Sequence, residues 1–182
     1  MPGKERIKIK VCLVGDSAVG KTSLIRRFVH DEFDDRYVTT LGAKVSKKDI
    51  VVRVAEGKRL YVDMTIWDIM GEKSFLDLLK DVYFHGAKGI LTVCDVTRRD
   101  TLYGLPDWVD AVQKITGDIP MYVLANKVDL KDQISFDEQE LRELAGKYDS
   151  PYSYTSARTG ENVQEAFQQL AGLICQMIAP LP

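Results

Sequence analysis

The chain has 182 residues, 45% of them hydrophobic and 29% charged, with a formal charge of −2. That length suits one domain with a substantial core, and the composition is that of a globular protein. Near-neutrality argues against a nucleic-acid binder that works through a general basic face, and no apolar run is long enough to span a bilayer.

The opening MPGKERIKIK is too polar for a signal peptide, and Cys175 in the closing ICQMIAPLP stands too far from the end for a prenylation box. The expected location is cytoplasmic, with a membrane surface reached only through an anchor or partner outside this chain. Cys12, Cys94 and Cys175 are scattered over apolar stretches and read as buried, reduced thiols.

In chain order, IKIKVCLV (7–14) reads as a strand entering the core. Leu24, Ile25, Phe28 and Val29 then fall at helical spacing. DEFDDRYVTTLG (31–42) has no period and reads as a loop. KVSKKDIVVRV (44–54) and KRLYVDMTIWD (58–68) are strand-like and joined by AEGK (55–58), a Gly-containing hairpin signal. DIMGEKS leads into FLDLLKDVYF (75–84), which has helical spacing. GILTVCD (89–95) is a buried strand. DTLYGLPDWVDAVQKI (100–115) reads as one helix opened by Asp100, with Pro106 as a complication.

MYVLANK (121–127) is another buried strand, and SFDEQELRELAGKY opens with Ser135 and Glu138 at capping-box spacing. YSYTSA (152–157) is a short final strand. In ENVQEAFQQLAGLICQMI, the residues Val163, Phe167, Leu170, Ile174 and Met177 make one apolar helix face. Strands alternating with helices predict an α/β fold, a mostly parallel sheet with helices on both faces and ligands at the carboxyl ends of its strands.

GDSAVGKTS, residues 15–23, lies at such a strand end. Gly15, Gly20, Lys21 and Thr22 complete G-x-x-x-x-G-K-[ST]. Glycines let successive N–H groups turn inward around anionic oxygens, and the next helix adds the positive end of its dipole. Lys21 supplies a full charge for β- and γ-phosphates, and the Thr22 hydroxyl is a hard ligand for Mg²⁺. Kinases, ATPases and GTPases all share such a loop.

Asn126-Lys127-Val128-Asp129 ends the strand MYVLA. A carboxylate at Asp129 can accept the N1–H and 2-amino hydrogens of guanine. Adenine offers neither, so its complex would strand a desolvated charge at a cost of ~2–5 kcal/mol. Asn126 can bond the base edge and brace loops, while the Lys127 stem can lie along the ring. Thr155-Ser156-Ala157-Arg158 ends the next strand, where the Ala157 N–H could meet the guanine O6.

Taken together, Gly15–Thr22, Thr40, Asp68–Gly71, Asn126–Asp129 and Ser156–Ala157 resemble the Ras superfamily of small GTPases, and GDSAVGKTSL, WDIMGEKSF and TSARTGENVQEAF look most like its Rab branch. The resemblance implies a P-loop NTPase G-domain of six strands, one edge pair antiparallel, and about five helices, with its core over 7–179. It implies that Asp16, Ser17, Ala18, Val19 and Ser23 join the motif residues around GTP or GDP. Phe33 would pack against the guanine and Tyr37 would cover the phosphates. Thr40 would be a second Mg²⁺ ligand beside Thr22, with Asp68 holding the metal through water. Catalysis would rest on Lys21, Gly71 and Glu72. A monomer is implied, with effector, exchange-factor and GTPase-activating proteins reading two switches at about 33–44 and 68–81, and no nucleic-acid partner.

Departures from the pattern are visible. Glu72 stands where the family usually has a glutamine that orients the attacking water. A carboxylate can accept from that water but cannot donate to phosphoryl oxygens, and it adds negative charge. Ile69-Met70 replace smaller residues, Arg158 replaces a lysine, the Thr40–Asp68 stretch is long, and GAKVSKK is basic. A GTP-binding scaffold without turnover is the alternative these raise. A P-loop kinase or ATPase lacks any segment resembling an acceptor lid. His30 and His85 sit at helix ends, Trp67 and Trp108 read as packing residues, and DEQELRELAGK reads as a solvated face.

Overall fold

A computed structural model describes residues 6–54 and 57–178. Six strands form one sheet: β1 (Arg6–Val14), β2 (Ala43–Arg53), β3 (Arg59–Ile69), β4 (Gly89–Asp95), β5 (Met121–Asn126) and β6 (Tyr152–Thr155), in the order β2-β3-β1-β4-β5-β6. All neighbours are parallel except β2 and β3, which pair antiparallel from Ala43↔Ile69 to Arg53↔Arg59. This is the expected mostly parallel sheet with one antiparallel edge. The connecting AEGK turn is described only from Gly57 onward, since Ala55 and Glu56 lie outside the described residues, as does Ala179 at the expected core boundary.

Strand order follows from burial. β4 and β5 are apolar on both faces and buried throughout, so they take central positions between helices. β2 alternates lysines with apolar residues and has one exposed face, which suits an edge. On one face, α1 (Lys21–His30) and α6 (Val163–Ile178) cover β1 and β3, with the Phe28 and Phe167 rings stacked 4.0 Å apart. An aromatic pair of this kind adds about 0.5–1.5 kcal/mol beyond its burial. The opposite face is covered by α2 (Lys73–Phe84) and α4 (Leu105–Thr116), through Leu76, Phe84, Trp108 and Val112. All three cysteines are buried and free.

Three local expectations are corrected. The helix read over 100–115 is two, α3 (Arg99–Tyr103) and α4, so six α-helices and a short 3-10 turn are present among the described residues. Pro106 is the reason for the break: it stands in the first turn of α4, where an N–H has no intrahelical partner to lose. The capping box of α5 (Glu138–Gly146) is formed by Asp137 and Glu140, not Ser135 and Glu138. Asp137 Oδ1 accepts from the Glu140 N–H and Glu140 Oε2 from the Asp137 N–H, each at 3.0 Å. Met177, placed on the buried face of α6, is 58% exposed.

Candidate nucleotide site

The carboxyl ends of β1, β5 and β6 meet the start of α1 at a cleft of about 680 Å³, a size suited to a small-molecule ligand. Its floor is the loop 15–20. Gly20 has φ +104, and a Cβ there would collide with the Asn126 amide, so only glycine fits. Ala18 also sits in the left-handed region, at φ +63, which costs about 1–2 kcal/mol for a residue with a Cβ.

Side-chain donors hold that conformation. Lys21 Nζ donates to the carbonyls of Gly15 and Asp16 at 2.7 and 2.9 Å. Arg98 Nη2 takes the Ser17 carbonyl at 2.8 Å, Lys127 Nζ that of Ala18 at 2.7 Å, and Asn126 Nδ2 that of Val19 at 3.0 Å. In each trans peptide whose carbonyl is held in this way, the N–H of the following residue turns in the opposite direction. Burial pushes Lys21 down to about 8, against the pull of Asp68 and Asp16. An anion seated beside it would oppose that shift and favour the charged form further.

The wall beyond is built by the guanine-like motif. Asn126, 1% exposed, accepts from Thr155 Oγ1 at 3.2 Å and from the Ala157 N–H at 3.3 Å. Ala157, expected to offer its N–H to a base, thus donates it to Asn126 here. Ser156 Oγ donates to Asp129 Oδ1 at 2.7 Å and fixes one carboxylate oxygen. Arg27 of α1 holds the carbonyls of Ala157 and Arg158 at 2.8 and 2.6 Å.

Opposite, Thr22 and Thr40 bring their hydroxyl oxygens to 3.0 Å of each other. Both donate to Asp68 Oδ2, Thr40 at 3.3 Å. Asp68 is 2% exposed and its Oδ1 has no hydrogen-bond partner among the described residues. Burial pushes this carboxyl above the ordinary range, although Thr22 and Lys21 oppose the shift. Three hard oxygens that converge on one another, with an orphaned buried fourth, are a donor set that fits Mg²⁺ and its waters.

Of the residues expected at the site, Ser17, Ala18, Gly20, Lys21, Thr22, Ser23, Phe33, Tyr37, Thr40, Gly71, Asn126, Lys127, Asp129, Ala157 and Arg158 line the cleft. Gly15, Asp16, Val19, Asp68 and Ser156 stand behind that lining and act through it. Gly71 presses on the phosphate loop so closely that a Cβ would lie 2.5 Å from Ser17 N. Glu72 is exposed and does not line the cleft. Sequence reasoning missed Arg26, Asp34–Arg36, Val38, Thr39, Ile69 and Leu130 in the lining. It also missed the supports Arg27, Asp95, Arg98 and Trp108, whose Nε1 donates to Asp16 Oδ1 at 2.8 Å. Adjacency to a motif was a signal for Arg26, Ile69 and Leu130, whereas Asp95, Arg98 and Trp108 lie far along the chain from every motif.

A family model described as "Ras family" matches residues 10–176. The chain belongs to the Ras family. It is 34% identical to the human Ras-related protein Rab-27B over 173 residues, covering 91% of this chain and 79% of that one. It is 35% identical to rat Rab-27A over 175 residues, with 91% and 78% covered. Identity to SEC4 of Candida albicans is 33% over 167 residues, covering 91% and 77%. The protein is a Rab-like small GTPase, a GTP-binding switch by family, and members of the family bind guanine nucleotides with Mg²⁺ and meet effectors, exchange factors and GTPase-activating proteins. No helix among the described residues is long and apolar enough to cross a membrane.

Proposed function

We propose that the chain binds GTP or GDP in this cleft and slowly hydrolyses GTP to GDP and phosphate, with 33–44 and 68–81 reporting the γ-phosphate to partner proteins. What carries the reading is the joining of two loops by Asn126: it holds Val19 of the phosphate loop and orders Thr155 and Ala157 of the base loop. Phosphate and base sites are then one object. Asp129 reads guanine, Ala157 and Arg158 border the base, and Phe33 and Tyr37 cover the nucleotide.

Thr22, Thr40 and Asp68 would hold Mg²⁺, which neutralises charge on the β- and γ-phosphoryl oxygens when bound. Lys21 adds its ammonium to that stabilisation, and Gly71 offers its N–H toward the γ-phosphate. Glu72 stands outside the cleft lining, and drawn in it could only accept from the attacking water and give nothing to the phosphoryl group, so turnover is slow. The exposed Tyr37, Val38, Leu41 and Leu78 supply the apolar surface that a partner reads.

A second reading, a GTP-bound scaffold with little turnover, is favoured by Glu72 standing outside the cleft. Denaturing the purified protein and chromatographing its nucleotide, with a GTP-loading time course, separates the two. GDP appearing during the time course supports slow hydrolysis; intact GTP throughout supports the scaffold; absence of guanine nucleotide and failure to load remove both.

A further inference from the structure

Three successive carbonyls of the phosphate loop are held by side-chain donors; Asn126 and Lys127 of the guanine motif hold two of them, and only the third holder stands outside the cleft lining. Ser17 is taken by Arg98, which precedes α3 and belongs to none of the sequence motifs. The same guanidinium donates through Nε to Asp95 Oδ2 at 3.3 Å, and Lys127 Nζ reaches that oxygen at 2.7 Å. Asp95 is 1% exposed. Its other oxygen accepts from the N–H and hydroxyl of Thr97 at 2.9 and 2.7 Å, so the carboxylate cannot turn away.

The C=O and N–H of a trans peptide point in opposite directions. Drawing the Ser17 carbonyl out to Arg98 therefore aims the Ala18 N–H toward the cleft that Ala18 lines. A cation on the carbonyl also polarises the peptide and strengthens its N–H as a donor to an anion. The left-handed Ala18 raises the demand for such a hold, because without one the loop would relax.

We infer that Arg98 is a positioning residue for phosphate binding, acting through the Ser17–Ala18 peptide and fixed by Asp95. This rests on the cleft being the guanine-nucleotide site proposed above. It also makes Asp95 a second link between phosphate and base loops beside Asn126, since Arg98 and Lys127 share its Oδ2.

The test is competition titration of the wild type, Arg98→Met, Arg98→Gln and Arg98→Lys with GDP and with IDP, whose base lacks the 2-amino group. Melting temperatures of the nucleotide-free proteins are taken alongside. Arg98→Met is expected to lose about tenfold in affinity for both nucleotides, leaving their ratio unchanged. Arg98→Lys recovers most of the loss, and Arg98→Gln, a donor without charge, recovers part of it. If the methionine variant does not fold, the Gln–Lys difference carries the same comparison. Unchanged affinities overturn the inference, as does a changed GDP-to-IDP ratio, which would place the effect at the base. So does a loss that tracks melting temperature and is not rescued by lysine, which would make Arg98 merely structural. A wild type that takes neither nucleotide overturns the reading of the cleft, and the inference with it.

Discussion

The two walls of the cleft differ in how they are held. On the β5–β6 side, Asn126, Thr155 and Ser156 are at most 1% exposed. Their polar atoms bond across loops, to Val19, to Ala157 and to Asp129. On the switch side, residues 31–42 form neither helix nor strand. Tyr37, Val38 and Leu41 there are 63%, 75% and 83% exposed. Asp34, drawn well below the usual carboxylate range by the Arg36 side chain, pairs closely with that residue of its own loop and more distantly, at 3.6 Å, with Arg26 of α1. The first wall is preorganised, so binding free energy is not consumed in ordering it. The second has few internal ties, so under the proposed function the nucleotide would supply its order, as a reporter of the γ-phosphate requires.

Breaking the preorganised wall should have the largest effect. Gly20→Ala places a Cβ against the Asn126 amide at φ +104, and strain with displacement of that amide is expected to cost ~4 kcal/mol, or about 1,000-fold in GDP affinity. Binding within threefold of wild type would mean that the Asn126 tie does not hold the nucleotide. Asp129→Ala frees Ser156 Oγ of its acceptor and should cost ~3 kcal/mol, about 100-fold, for GDP, while bringing GDP and IDP affinities together. A retained preference for GDP would move base recognition elsewhere.

On the switch wall the test separates GTP from GDP. Thr40→Ala should leave GDP affinity within about twofold, yet lower Mg²⁺-dependent GTP affinity about tenfold, because the hydroxyl's partners among the described residues are Thr22 and Asp68, the oxygens proposed to hold the metal. Equal losses for both nucleotides would make the two walls alike and end the comparison.

Sequence legibility divides along the same line. The sheet was readable because buried runs such as GILTVCD leave few alternatives, and the phosphate loop was readable because each of its residue types has a mechanism. What escaped was whatever depends on through-space meeting. Trp108, read as packing, also donates to Asp16, ninety-odd positions away in the chain. Arg98 and Arg27 look like ordinary surface charges until the fold brings them to loop carbonyls. Glu72 could be placed in the motif, but its standing outside the cleft depends on the path from Gly71 into α2. The capping box slipped by two residues because Ser135, a good cap by type, is used to hold the Val96 carbonyl instead.

The smallest effects belong to neither wall. Asp137 caps α5 outside the cleft lining, so Asp137→Ala should cost about 1 kcal/mol and a few degrees of melting temperature, with GDP affinity unchanged. Its partner Glu140 is pulled from 4.5 to about 2, first by the Arg99 guanidinium, then by the Asp137 N–H and the Tyr103 hydroxyl. The folded state therefore favours the ionised carboxylate. Its contribution is complete above the ordinary value and is lost as pH falls through the depressed one. The gap in melting temperature between wild type and Glu140→Gln should accordingly narrow as pH is lowered from about 5 toward 3. A constant gap would mean that packing, not charge, sets the role of Glu140. A shift in GDP affinity in either variant would couple α5 to the cleft and remove the independence of the preorganised wall.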